Sequence, residues 1–295
     1  MSIPLMFILS MSMSLTGCIT RKIYAQHTTG SSSGIFWLSS ISSVMSAIVL
    51  MLMAGFRQAS LVTWLLGSAF GIVTMLQTIT QMNALECGPM SYTMVMVYCS
   101  TVVSAISGAL FWNEQIQLAH VVGIILMLIS FALAVKKQPG EKGVSFKWLL
   151  WSMGAFATTG AIGVMQKLHQ NTQYKGELNE FLVIAFGIST VISVVYLGIL
   201  AKKKQLKPAP QVAKIRWLLL AIMIIGGVSG ALCNQWNLYL SGVMDSAVFF
   251  PLFNGGGLVL TTLIAVVLFK EKLSKLQWLG VAFGIASVIF LCNPF

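Results

Sequence analysis

FWNEQIQLAHVVG at residues 111–123 and LFKEKLSKLQWLG at residues 268–280 are two copies of one pattern, each an acidic residue followed nine positions later by glycine. A second pair lies upstream in the same order: QMNALECGPM at 81–90 matches QWNLYLSGVM at 235–244. Two matching blocks in one order argue for an internal duplication, and a repeat of this kind governs the reading of everything else. The offset grows from 154 to 157 between the blocks, so about three residues were gained or lost between them.

What is duplicated follows from composition. The 295-residue chain is 57% hydrophobic and 8% charged, well outside the range of water-soluble domains. Around the repeated blocks the apolar residues form successive runs of about 20 residues, the length a helix needs to cross about 30 Å of hydrocarbon. A backbone in lipid must satisfy its own hydrogen bonds, which leaves helices or a closed barrel, and the runs are too continuous for barrel strands. Breaks at charged or Gly/Pro clusters place spans at 3–20, 35–54, 61–84, 89–111 and 117–135, then at 147–167, 181–201, 215–239, 244–269 and 276–292. The expected fold is an all-α polytopic membrane protein: residues 1–138 as a first five-helix repeat and 139–295 as a second, within one transmembrane domain. An odd number of spans per repeat makes the second copy enter the membrane from the opposite side, an inverted arrangement.

The excess charge of +11 does not point to nucleic acid, because the Lys and Arg residues lie in the gaps between spans and form no basic stripe. Scored as topology signals, 15 of the 18 fall in odd-numbered gaps, which puts both termini outside the cytoplasm. Leu15-Thr16-Gly17-Cys18 has the pattern that precedes a lipid-modified cysteine, but no Lys or Arg precedes Arg21, so the first segment is expected to stay as a span. The five cysteines have no metal-ligand spacing and read as small packing residues.

With its short Trp112-Asn113-Glu114 and Lys270-Glu271-Lys272-Leu273 loops at matching places in a five-plus-five plan, the chain resembles the drug/metabolite transporter superfamily, in its ten-helix EamA-like branch. That resemblance covers nearly the whole chain. It implies a central cavity lined by spans one to four and six to nine, spans five and ten at the periphery, and both termini in the cytoplasm, against the charge count. It names no substrate.

All seven acids, Glu86, Glu114, Glu141, Glu177, Glu180, Asp245 and Glu271, lie in gaps or near span ends. A mid-membrane carboxylate, which costs at least ~2.5 kcal/mol and usually marks an ion path, is missing. So are paired carboxylates and His/Asp/Glu clusters, so neither an enzyme, a metal nor a cofactor is expected. Glu114 and Glu271 are expected to hold turns by accepting from the first N–H groups of the helix that follows. Lys22 and Lys167 end spans one and six and could meet an anionic solute or snorkel to headgroups.

The candidate substrate-binding residues are amides and phenols inside spans, since a neutral polar group in hydrocarbon needs a partner. They are Gln77, Gln81, Asn83, Tyr92 and Tyr98 in the first half, and Asn234, Gln235, Asn237, Tyr239 and Asn254 in the second. Gln77 and Gln81 share a helix face. Helix–helix hydrogen bonding is the plainer role for these groups. The run from Pro251 to Gly255, Gly256 and Gly257 is read as a hinge or gate, a kinked or locally opened stretch of span nine.

These features favour a secondary transporter that moves a small organic metabolite or drug across the cytoplasmic membrane by alternating access, energised by exchange or facilitation. A lipid-linked substrate flippase and a non-transporting membrane partner are the alternatives. The expected partners are a small organic solute and the lipid bilayer, not nucleic acid; a monomer and a homodimer both stay open.

Overall fold

The computed structural model describes residues 2–27, 32–54, 58–88, 90–134, 145–202, 213–269 and 274–292. They are helical almost throughout: α1 (Ile3–His27), α2 (Ser32–Ala54), α3 (Leu61–Cys87), α4 (Met90–Cys99), α5 (Thr101–Trp112), α6 (Leu118–Ala134), α7 (Phe146–Gln170), α8 (Leu178–Lys202), α9 (Ala213–Val243), α10 (Ser246–Phe269) and α11 (Lys275–Cys292). Among the described residues eight apolar stretches are long enough to cross a membrane, and Leu118–Leu133 and Ser246–Leu260 are shorter. The ten expected spans are all present, the fourth divided between α4 and α5.

That division is where the structure departs from the sequence reading. The interruption expected at Pro251 is absent: α10 runs unbroken through Pro251 and the three glycines. The break lies in span four, at Ser100, whose hydroxyl and backbone N–H both turn back to the Val97 carbonyl. The Ser100 carbonyl in turn accepts from Val103 N at 2.9 Å. Three-residue bonds of this kind tighten the backbone locally and end one helix before the next begins. Pro251 is tolerated because it falls in the second turn of α10, where a single missing N–H frees one carbonyl.

The described chain forms two compact units, Met1–Met75 with His169–Leu240 and Leu76–Leu168 with Ser241–Phe295. The division does not follow the sequence halves; each unit takes helices from both.

In the first unit α2 packs along α8, its counterpart in the other half. Ser39 and Ser193, separated by the 154-residue offset of the upstream repeat, meet at 3.5 Å. Hydroxyl-to-carbonyl bonds tie these helices to the next pair. Ser42 and Ser46 on α2 donate to the Met223 and Gly227 carbonyls of α9, and Ser189 on α8 donates to Gly71 of α3. Glycine is needed at these crossings because a Cβ on Gly71 would lie 2.6 Å from the Ala185 carbonyl oxygen, and one on Gly227 would lie 2.6 Å from that of Ser42.

In the second unit α6 packs along α11 by the same device, here with full reciprocity. Ser130 donates to the Gly280 carbonyl at 2.7 Å and Ser287 to the Gly123 carbonyl at 2.6 Å. Gly123 with Gly280, and Ser130 with Ser287, are each 157 residues apart, the offset read from the sequence blocks. The glycines spaced nine from the acids are therefore contact points between the two halves. Small residues of this kind let membrane helices approach closely enough for packing and polar contacts to hold them.

A side chain added at a backbone contact should cost about 1–3 kcal/mol by overpacking. Gly71→Val and Gly227→Val are expected to lower the unfolding midpoint of the detergent-solubilised protein. Gly198→Ala, where a Cβ meets nothing within 4 Å, should leave it unchanged or raise it.

Candidate functional site

The amides of span three lie in the second unit. Gln77 donates to Gln81 at 2.7 Å along their shared face, and Gln81 Nε2 lies 3.5 Å from Met94 Sδ on α4. Asn83 turns its amide back on the Ile79 carbonyl. Tyr98 packs its ring against Phe131 of α6, centroids 5.0 Å apart. The Tyr92 side chain lies outside the described residues. Asn254 donates across helices to Thr101 Oγ1 at 2.8 Å, so the first residue after the span-four break is held by α10. Pro251 and Gly255 are buried, and a Cβ on Gly255 would collide with the Met127 thioether, so this glycine admits α6. Gly257 has open space at its α-carbon.

Span eight carries its amides in the first unit. Asn237 accepts from Ser10 on α1 at 2.6 Å and donates to Cys233 Sγ. Gln235 donates to Asn179 Oδ1 at the start of α8, 2.8 Å away, and Asn234 caps back on Gly230 within its own helix. Tyr239 is 41% exposed. The structure thus brings Gln77 with Gln81, and Asn254 with span four, while the repeat-equivalent pairs Gln81/Gln235 and Asn83/Asn237 are divided between units.

The most polar assembly was not legible in the sequence. Glu114, just beyond α5, does not turn to the first N–H groups of α6. Its Oε2 accepts the backbone N–H of Ser246, the first residue of α10, at 2.7 Å, and its Oε1 pairs with Lys167 Nζ at 2.5 Å. Both side chains are nearly buried, 9% and 6% exposed. Lys167 also donates to the Met244 carbonyl at 2.9 Å. A carboxylate on a helix N-terminus complements its dipole, and the ammonium on a free carbonyl completes the exchange. Three elements, the ends of α5 and α7 and the start of α10, are joined at one corner. Gly108 makes room, since a Cβ there would strike the Glu114 carboxylate, and Asn113 takes a left-handed φ of 54° to turn the chain. Lys167 therefore neither snorkels nor stands free. Lys22 and Glu271 lie outside the described residues or side chains.

A second acid does the same for another helix. Glu177 Oε2 accepts from the Ser60 N–H and hydroxyl, at 2.9 and 2.8 Å, where α3 begins. Burial pushes its carboxyl up, but hydrogen bonds from Thr63 and Ser60 outweigh that and hold it below the ordinary carboxylate value. In both cases an acid supports a helix of the other sequence half, which is why adjacency in sequence could not reveal it. Among the described residues no three His, Cys, Asp or Glu side chains are grouped to hold a metal.

The sequence profile of the EamA-like transporter family matches residues 1–136 and again 146–293. This chain belongs to that family. The family is described as one of transporters, and the long apolar helices are those of a multi-pass membrane protein. An uncharacterized protein of Haemophilus influenzae is 25% identical over 189 residues, 62% of this chain and 59% of that protein's length. A crystal structure described only as that of a protein superposes with a TM-score of 0.76 over 98% of this chain and 96% of the other, at 17% identity, a likeness of fold alone.

Breaking a buried ion pair from one side leaves an uncompensated charge, at a cost of about 3–5 kcal/mol. Glu114→Gln and Lys167→Met are each expected to lower the unfolding midpoint sharply, and the double variant to recover most of the loss in a double-mutant cycle. For Glu177 the sign follows from its lowered value: its contribution is complete above the ordinary carboxylate range and is lost as pH falls through the native value. Glu177→Gln should therefore flatten the acid limb of the stability-against-pH profile.

Proposed function

We propose that this EamA-like protein is a secondary transporter of the cytoplasmic membrane that moves a small organic metabolite or drug by alternating access. The observation that carries the reading is the pairing of equivalent helices from the two halves: α2 on α8 through Ser39 and Ser193, and α6 on α11 through two reciprocal serine-to-glycine bonds. A duplicated chain joined through matching residues can adopt two nearly equivalent packings, and exchange between them exposes a midplane site first to one side and then to the other.

The chemistry of the solute follows from the side chains that spans offer. In the second unit Gln77, Gln81 and Asn254 are neutral and amide-bearing, and Tyr98 adds an aromatic face and a hydroxyl. The two acids best placed to attract a cation, Glu114 and Glu177, are already engaged at helix N-termini. A neutral or zwitterionic solute fits this lining, taken up by exchange or facilitation. The Ser100 break, held by Asn254 through Thr101, supplies the local backbone freedom that a gate requires, with Pro251, Gly256 and Gly257 on the facing helix.

The test is uptake into proteoliposomes preloaded with unlabelled solute, across amino acids, nucleosides, polyols and quaternary amines. Saturable counterflow of one class is the expected result. Gln81→Ala and Asn254→Ala should raise the half-saturating concentration about tenfold, the effect of losing one or two hydrogen bonds. Folded protein that accelerates no solute sinks the reading.

A further inference from the structure

Span four is divided at Ser100, and its two pieces are held in unequal ways. α5, after the break, is fixed from start to end. Asn254 of α10 donates to Thr101 at its beginning. Ser104 donates to the Gly160 carbonyl of α7 at 3.3 Å, and a Cβ on Gly163 would collide with the Ser104 hydroxyl, so the two backbones lie close. Just beyond α5 the Glu114–Lys167 pair ties it to α7 and α10. α4, before the break, is held by softer contacts between neutral side chains. Its first turn meets the start of α7, where the Trp148 indole N–H donates to Thr93 Oγ1 at 2.8 Å, both side chains being buried. The same indole lies against Gly88, where a Cβ would collide with it. Half-way along α4, Met94 offers its thioether to the Gln81 amide at 3.5 Å. Sulfur is a weak acceptor, so that amide hydrogen is poorly satisfied.

The equivalent turn of the other half is built differently. The 154-residue offset places Ala247 where Thr93 stands, so that position has no hydroxyl to latch, and α10 runs unbroken from the turn. The start of α10 is clamped instead through its backbone, by Glu114 on the Ser246 N–H. Charge-assisted bonds are roughly twice as strong as neutral ones, so the turn that leads into α4 is the weaker of the two. We propose that α4 is a lid: a ten-residue half-helix that pivots at Ser100, is latched by Trp148 on Thr93, and covers the Gln81 amide with Met94. Swinging α4 away breaks the latch, withdraws the thioether and presents the Gln81 N–H to a carbonyl or hydroxyl oxygen of the solute. Oxygen accepts better than sulfur, so a solute binds the open form better and shifts the population towards it. Trp148 and Met94 are positioning residues in this device. The lid rests on the carrier reading above and names the residues that gate its Gln81 site.

The test is hydrogen–deuterium exchange of the full-length protein in lipid nanodiscs without solute, read by mass spectrometry on peptides of α4 and α5. The α4 amides should exchange about tenfold faster than those of α5. Trp148→Phe keeps a ring and loses the donor, while Met94→Leu keeps the volume and loses the acceptor. Each should speed α4 further, by about tenfold and about threefold, with α5 unchanged. Equal exchange in the two helices, or a variant that speeds both or neither, overturns the lid, because a bond that serves packing alone would loosen α4 and α5 together. Counterflow of amino acids, nucleosides, polyols and quaternary amines separates this result from the carrier reading. Where one of these is carried, both variants should lower its half-saturating concentration severalfold, since the closed form no longer competes. An unchanged or raised value overturns the lid with the carrier intact. Where none is carried the carrier reading falls, and separate exchange of α4 that answers to Trp148→Phe still upholds the lid.

Discussion

Where no water can reach, each hydroxyl, amide and helix end must find its partner inside the protein, and this constraint organises the whole chain. The serines on α2, α6, α8 and α11 answer it by donating to backbone carbonyls of neighbouring helices. Such a bond forms only where two backbones come close, which places glycine beside the serines: Gly227 near Ser46, Gly71 near Ser189, Gly280 near Ser130 and Gly123 near Ser287. Packing gives most of the association, because lipid removes the hydrophobic drive that would hold the same helices together in water. The small residues therefore specify which helices touch.

The same constraint explains the acids. Neither Glu114 nor Glu177 lies in mid-membrane, and both sit on the N-terminus of a helix from the other half of the sequence. The free N–H groups of a helix start and the positive end of its dipole offer a carboxylate what water would otherwise supply. Lys167 completes the corner at Glu114 and makes it costly to open from either side. Glu114, Lys167 and Glu177 thus join elements of the two sequence halves.

Much of the architecture was legible because it depends on length and periodicity. The ten spans follow from apolar runs, and the 157-residue offset matched Gly123 with Gly280 as repeat equivalents; that each receives a serine hydroxyl from the other half, and that Ser39 meets Ser193, came from the packing. The family follows from the same blocks. Glu114 was singled out as holding a turn, but the helix it supports was misjudged. An acid can be placed near a helix start from sequence, whereas the choice between α6 and α10 depends on how the chain packs. The helix break falls elsewhere for a related reason: Pro251 and three glycines are strong local signals, yet early in a helix Pro costs one bond and α10 stays continuous, while Ser100 ends α4 with an unremarkable sequence around it.

The sequence by itself determined the solvent, the secondary structure and the duplication, since each is a property of residues counted along the chain. Tertiary structure alone decided which polar groups are satisfied. Gln77, Gln81, Asn237 and Asn254 look alike in sequence and all prove to be partnered, while His169 is fully buried with one nitrogen unmatched. Whether a buried atom has a partner depends on distances of about 3 Å between residues far apart in sequence, and only the packed fold sets those.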